Sequence, residues 1–159
     1  MSVATSLSLP LLLAAFFLPS CSLASVFGDH SRHRRVVGLY DFCEMITCAA
    51  SRNCLDFNNY GCFCGILGHG KPVDGIDSCC RAHDLCYRLV RKHEGCRPVW
   101  TSYSWQCGAN NTLTCNQRRN DWCANAICQC DRLAAECFSR QQYPLDGKPP
   151  CPNDWSTRG

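Results

Sequence analysis

Apolar positions along the chain fall into segments of different period. Leu39, Phe42, Met45 and Ile46 recur at helical spacing and mark a short helix with one apolar stripe, expected at the surface of the fold. The period then lapses. Asp56 to Asp74 is dense in glycine and contains Pro72, a composition that suits neither helix nor regular strand and leaves the backbone free to aim carbonyls inward. Asp74 or Asp77 can cap the helix that follows, which the pattern carries to about His93. From Arg97 to Cys115 the register changes again. Pro98, Val99, Trp100, Thr101, Tyr103, Trp105 and Thr114 surround a Gly-Ala-Asn-Asn turn, which predicts a small hairpin. Asn120 or Asp121 can cap a third helix reaching about Gln141, and the proline-rich tail beyond it depends on Cys151 for a tether.

The N-terminal stretch is different in kind. Met1 to Ala24 carries an apolar run ending near small residues, too short to span a bilayer, and reads as a secretory signal peptide. Arg32-His33-Arg34-Arg35 reads as a dibasic processing site, with a solvated basic loop as the alternative. The division expected is a signal peptide over 1–24, a pro-segment over 25–35 and one domain over 36–159. A secreted, extracellular protein follows.

Seventeen cysteines sharpen that picture. Cys21 falls in the leader, so an even set remains, and in an exported chain such a set implies up to eight disulfides. Zinc is the rival use of thiols, but no C-x2-C pair occurs. Charge adds little: without the leader, 13 basic side chains stand against 12 acidic ones, a balance of +1. Nucleic acid is therefore not expected as a partner. The near-neutral balance gives no general preference for anionic membranes, though a local patch such as Arg88, Arg91 and Lys92 can outweigh the sum. Asn110-Asn111-Thr112 is an N-glycosylation sequon, with Asn110 as acceptor.

Candidate chemistry gathers on two helices. Cys80, His83 and Tyr87 are three and four residues apart and share a face, while Asp84 lies one step round, toward the glycine loop. A histidine acting as a base needs a partner on its far nitrogen, and Asp131 on the third helix can supply it. The same residues equally suit a structural buried pair.

Three stretches together are recognisable. Asn59-Tyr60-Gly61-Cys62-Phe63-Cys64-Gly65-Ile66-Leu67-Gly68-His69-Gly70-Lys71-Pro72-Val73-Asp74 resembles the calcium loop of secreted phospholipases A2, most like the pancreatic and elapid type. Cys79-Cys80-Arg81-Ala82-His83-Asp84-Leu85-Cys86-Tyr87 resembles their active-site helix. Ile127 to Cys137 resembles the helix that supplies their supporting aspartate. The fold implied is mainly α and disulfide-rich, with two long antiparallel helices, an N-terminal helix, a calcium loop and a small β-hairpin.

The resemblance also implies a site. One calcium ion would take backbone carbonyls of Phe63, Gly65 and Leu67 and the carboxylate of Asp84. His83, steadied by Asp131, would draw a proton from the water that attacks the sn-2 ester of a glycerophospholipid. Gly65 would offer its N–H to the developing oxyanion, and Tyr87 and Tyr103 would bond the supporting aspartate. Leu39, Phe42, Ile46, Phe57, Ala134, Ala135 and Phe138 would line the acyl channel. The partner implied is a phospholipid membrane or micelle surface, bound peripherally by a monomer. A non-catalytic relative of the same fold, acting as a toxin subunit, receptor ligand or matrix protein, is the alternative.

Pairings carried over by position join Cys48 to Cys107, Cys62 to Cys151, Cys64 to Cys80, Cys79 to Cys137, Cys86 to Cys130, Cys96 to Cys123, and Cys115 to Cys128. Cys43 and Cys54 have no counterpart in the pancreatic framework and are expected to pair with each other. Leu67 also departs, since the family has glycine there. If the loop needs a positive φ at that point, the leucine costs about 1 kcal/mol or more and weakens calcium binding.

Overall fold

Three helices organise the computed structural model, which describes residues 37–66, 68–93 and 95–152. The expected signal peptide and pro-segment, and Leu67, lie outside the described residues. The first helix, α1 (Val37–Ala50), follows the apolar stripe read from the sequence. It lies at the surface, as the single stripe implies, with Val37, Leu39, Tyr40, Glu44 and Thr47 exposed. Met45 and Ile46 are buried, and α1 packs extensively on the third helix, because a stripe of that width needs an apolar neighbour. Gly38 permits a close approach on the other side: a Cβ there would lie 2.5 Å from the carbonyl oxygen of Pro98.

Asp74, rather than Asp77, caps α2 (Gly75–Arg91), its side chain accepting from the Asp77 N–H at 2.9 Å. Asp121 does the same for α3 (Trp122–Ser139), accepting from the Ala124 N–H at 2.8 Å. Both helices stop about two residues short of the predicted ends. α2 and α3 are bridged by Cys79–Cys137 and Cys86–Cys130, with Cα separations of 5.8 and 5.7 Å. Two bridges seven residues apart on each helix fix the pair as antiparallel.

The hairpin is shorter than the sequence pattern suggested. Strands β1 (Trp105–Cys107) and β2 (Leu113–Cys115) pair antiparallel with Trp105 opposite Cys115. Pro98–Trp100 forms a 3-10 turn instead of strand, since proline brings no N–H to a ladder and its fixed φ suits a first helical position. Asn110 and Asn111 take φ of 56° and 59° to close the hairpin, a conformation asparagine tolerates well. Asn110 is exposed there.

All the pairings expected of the mature cysteines are present, Cys43–Cys54 included. That bridge ties α1 to the 3-10 turn Cys54–Asp56. Cys62–Cys151 and Cys64–Cys80 pin the glycine loop to the tail and to α2. The core between the helices gathers Met45, Ile46, Phe57, Ile127, Ala134, Ala135 and Phe138. No helix among the described residues is long and apolar enough to cross a membrane.

Candidate active site

Asp131 and Asp77 are the buried charged side chains of the described residues, each 0 % exposed. A carboxylate is taken from water only at a high cost unless donors surround it, so the partners of these two define the polar architecture.

Asp131 on α3 faces His83 on α2. His83 Nε2 stands 2.5 Å from Asp131 Oδ1, the Tyr87 hydroxyl donates to the same oxygen at 2.7 Å, and the Tyr103 hydroxyl donates to Oδ2 at 2.5 Å. Burial, and then the charge of Asp131, push both phenols well above their usual range, so they remain donors. With a carboxylate on Nε2, the imidazole proton belongs on that nitrogen. Nδ1 is left as the acceptor. The ring is held on two sides: Phe42 stacks on it at 4.4 Å between centroids, and Tyr87 lies at 4.1 Å. The imidazole side chain is 11 % exposed, enough for one open edge.

Asp77 was read from the sequence only as a possible cap. It organises the glycine loop instead. Its carboxylate accepts from the N–H groups of Cys62 at 2.8 Å, Phe63 at 2.7 Å and Val73 at 2.9 Å. Gly61, at φ 59°, allows this: a Cβ there would fall 2.4 Å from the Asp77 carboxyl carbon. The available signal was a second aspartate three residues after a cap, which has no capping work of its own. Tyr60 adds a further tie by donating to Asp74.

The loop so held passes close to Asp84. At Gly68 a Cβ would lie 2.8 Å from Phe63 Cα and 3.0 Å from Asp84 Oδ2, so only glycine lets the strand of loop run past that carboxylate. Asp84 is half-buried, and loss of water raises its carboxyl above the ordinary range, against the opposing pull of His83 and Arg88. The structure places Phe63 and Gly65 in this loop, with the Gly65 N–H donating to the Phe63 carbonyl at 2.9 Å. A carbonyl has a second lone pair, so Phe63 keeps one for another partner. The Gly65 N–H has one proton, and any role toward an oxyanion requires this turn to open.

Of the residues expected in an acyl channel, Phe42, Ile46, Phe57, Ala134, Ala135 and Phe138 belong to the core cluster, buried or half-buried, with Phe42 against His83. Leu39 does not join them. It is 47 % exposed, alongside Tyr40 at 65 %, so the first turn of α1 presents its apolar side outward.

Comparison with known proteins now bears on this geometry. The phospholipase A2 family model matches residues 39–147. The chain belongs to the phospholipase A2 family. An acidic phospholipase A2 of Micrurus dumerilii is 49 % identical over 105 residues, covering 66 % of this chain and 88 % of that protein. Acidic phospholipase A2 E of Naja oxiana is 50 % identical over 109 residues, covering 68 % and 90 %. Basic phospholipase A2 DE-1 of Hemachatus haemachatus is 48 % identical over 106 residues, covering 66 % and 87 %. The likeness is thus to phospholipases A2 of the elapid type, as the loop and helix motifs suggested.

Family membership implies calcium dependence, and the donors available here fit a hard cation. The described residues contain no group of three or more His, Cys, Asp or Glu side chains that could hold a metal. A site must therefore draw on backbone oxygen, and one carboxylate beside a glycine-rich loop whose carbonyls can turn inward is such a site. Among the described residues Asp84 makes no hydrogen bond or ion pair, and the charges that act on it are those of His83 and Arg88.

Proposed function

We propose that this phospholipase A2 hydrolyses the sn-2 ester of glycerophospholipids in a calcium-dependent reaction, releasing a fatty acid and a lysophospholipid. The observation that carries the reading is the His83–Asp131 pair, with Nε2 occupied at 2.5 Å and Nδ1 left to accept.

The chain's own residues divide the work. His83 takes a proton from water at Nδ1, so that the water attacks the ester carbonyl directly, without an acyl-enzyme. Asp131 holds the ring in the required tautomer and offsets the charge the imidazolium gains. Tyr87 and Tyr103 keep that carboxylate in place from two directions. The Phe63, Gly65 and Leu67 carbonyls and Asp84 would hold one calcium ion, which supplies Lewis-acid polarisation of the ester carbonyl when bound. Gly65, once its N–H turns from Phe63, adds a hydrogen bond to the oxyanion. Phe42 and the apolar residues behind it receive the acyl chain.

Exposed Val37, Leu39, Tyr40 and Ile66 lie on the two elements that flank His83 and Asp84, α1 and the loop, and support peripheral contact of a monomer with a phospholipid surface. Secretion into the extracellular space suits the eight disulfides. A non-catalytic role is the second reading. It is disfavoured by the presence of both His83, which meets Asp131, and Asp84, which lies beside the glycine loop. Fatty-acid release from mixed phospholipid vesicles, with calcium and with chelator, tests the proposal. Release that is calcium-dependent supports it, and equal release in chelator contradicts it.

A further inference from the structure

Basic charge is unevenly placed along the chain. Residues 88–97 and 118–122 hold Arg88, Arg91, Lys92, Arg97, Arg118 and Arg119 against Glu94 and Asp121, six basic side chains to two acidic, whereas the rest of the chain from Val36 onward holds seven to ten. A nearly neutral domain therefore carries one strongly positive region.

The fold gathers these segments at one end of the long helices. Arg88, Arg91 and Lys92 sit at the C-terminal end of α2, three and four residues apart, where the exposed carbonyl end of a helix favours cations. The Cys96–Cys123 bridge, with a Cα separation of 5.6 Å, ties the chain just beyond α2 to the first turn of α3. Arg118 and Arg119 stand in the turn that leads into α3, where the Arg119 N–H donates to the Asn116 carbonyl at 3.1 Å. All six cations are exposed, and none of them forms an ion pair among the described residues. Asp121 is engaged as the cap of α3. Where the two helix ends meet, the His93 and Trp122 rings lie 4.1 Å apart, tilted by 53°, and Trp122 keeps 55 % of its surface open to solvent.

We propose that this basic end, around His93 and Trp122, is a docking site for a sulfated linear polysaccharide, a function separate from ester hydrolysis. Sulfate esters stay ionised across the physiological range and present three oxygens, which suits the planar fork of a guanidinium, and five of the six cations are arginine. Unpartnered cations on neighbouring elements repel one another, and a chain of fixed anions laid across them relieves that repulsion and releases its own counterions. Trp122 supplies a flat apolar face for the C–H side of a sugar ring, while His93 braces it at the surface. A bilayer is the less favoured occupant. Leu89 is the one exposed aliphatic side chain among the described residues of these segments, too little apolar surface to hold a membrane. The surface assigned above to phospholipid is the reverse, since Val37, Leu39, Tyr40 and Ile66 bring no basic group.

Retention on immobilised heparin, the probe polyanion, and its dependence on salt test the proposal. The unmodified chain is expected to bind at an ionic strength of about 0.15 M and to be released steeply as salt rises. Arg91→Gln with Lys92→Gln, and Arg118→Gln with Arg119→Gln, should each lower the slope of log affinity against log salt by about two, roughly one for each cation removed. Trp122→Ala should weaken binding with the slope unchanged, because it removes contact area and no charge. Unchanged melting temperatures separate these losses from unfolding. Arg88 is left in place because its charge acts on Asp84. Heparin affinity and salt slope equal to those of the unmodified chain in both paired charge variants would overturn the proposal, as would equal binding of hyaluronan, which carries carboxylates but no sulfate. Variants that keep heparin but lose adsorption to phosphatidylserine vesicles would overturn it in favour of a lipid surface.

Discussion

Asp77 Oδ2 accepts the backbone N–H of Cys62 at 2.8 Å, joining the first turn of α2 to the glycine loop through a fully buried carboxylate. Two further N–H groups converge on the same side chain. The loop therefore owes its shape to a residue that takes no part in the chemistry.

Replacing Asp77 by Asn keeps the volume but turns one acceptor into a donor facing an N–H. Loss of the charged bonds, with a buried amide left unpaired, is expected to cost about 3 kcal/mol of stability. Denaturant unfolding checks this, and calcium titration should show weakened binding by the same variant. Unchanged values in both would show that the disulfides alone shape the loop.

The tyrosine pair gives a coupled prediction. Tyr87→Phe and Tyr103→Phe each remove one donor from Asp131 and should each cost about 1 to 3 kcal/mol. The double variant should lose more than the sum, because the remaining donor no longer compensates. A double-mutant cycle on unfolding midpoints measures the coupling. Additive losses would mean that the phenols act independently.

Alkaline titration follows from the same geometry. Folded Tyr87 and Tyr103 hold their protons above the usual phenol range, whereas the unfolded chain releases them near a pH of about 10. Proton binding is then greater in the folded state, so their contribution to stability is present below that pH and declines above it. The phenolate absorbance of Tyr87 and Tyr103 should appear only with unfolding. Their smooth titration in the folded protein would contradict the assigned burial.

The Cys43–Cys54 bridge spans 11 residues, and its removal by paired alanine substitution is expected to cost up to about 3 kcal/mol on loop-closure grounds. The effect should be on melting temperature, with fatty-acid release little altered, since neither cysteine takes part in the hydrogen bonds around Asp131. A loss of activity without a loss of stability would place the bridge in the working of the site.

Much of this arrangement was legible beforehand because it is written in local pattern. Helical spacing located α1, α2 and α3, aspartates marked the caps, and the Cys79-Cys80…His83-Asp84 and Cys130-Asp131 runs joined the two long helices. What was not legible depended on which way a single side chain turns. Whether Asp74 or Asp77 caps α2 is decided by a loop that arrives from earlier in the chain, and Gly61 must be glycine to receive Asp77. What the buried face of α1 packs against is α3, which is far away in sequence. Pro98 misled the strand reading for a local reason, since it starts a turn instead of a ladder. Leu39 shares the period of Phe42 but sits one turn nearer the end of α1, where it stays exposed.

The most direct measurement is ester cleavage by His83→Gln in a protein shown to be folded and to bind calcium as the unmodified chain does. Glutamine can still bond Asp131 but is not basic enough to take the proton from water. A fall in rate of at least about a hundredfold is the expected result. Cleavage continuing at the original rate would contradict the assignment of His83 as the base.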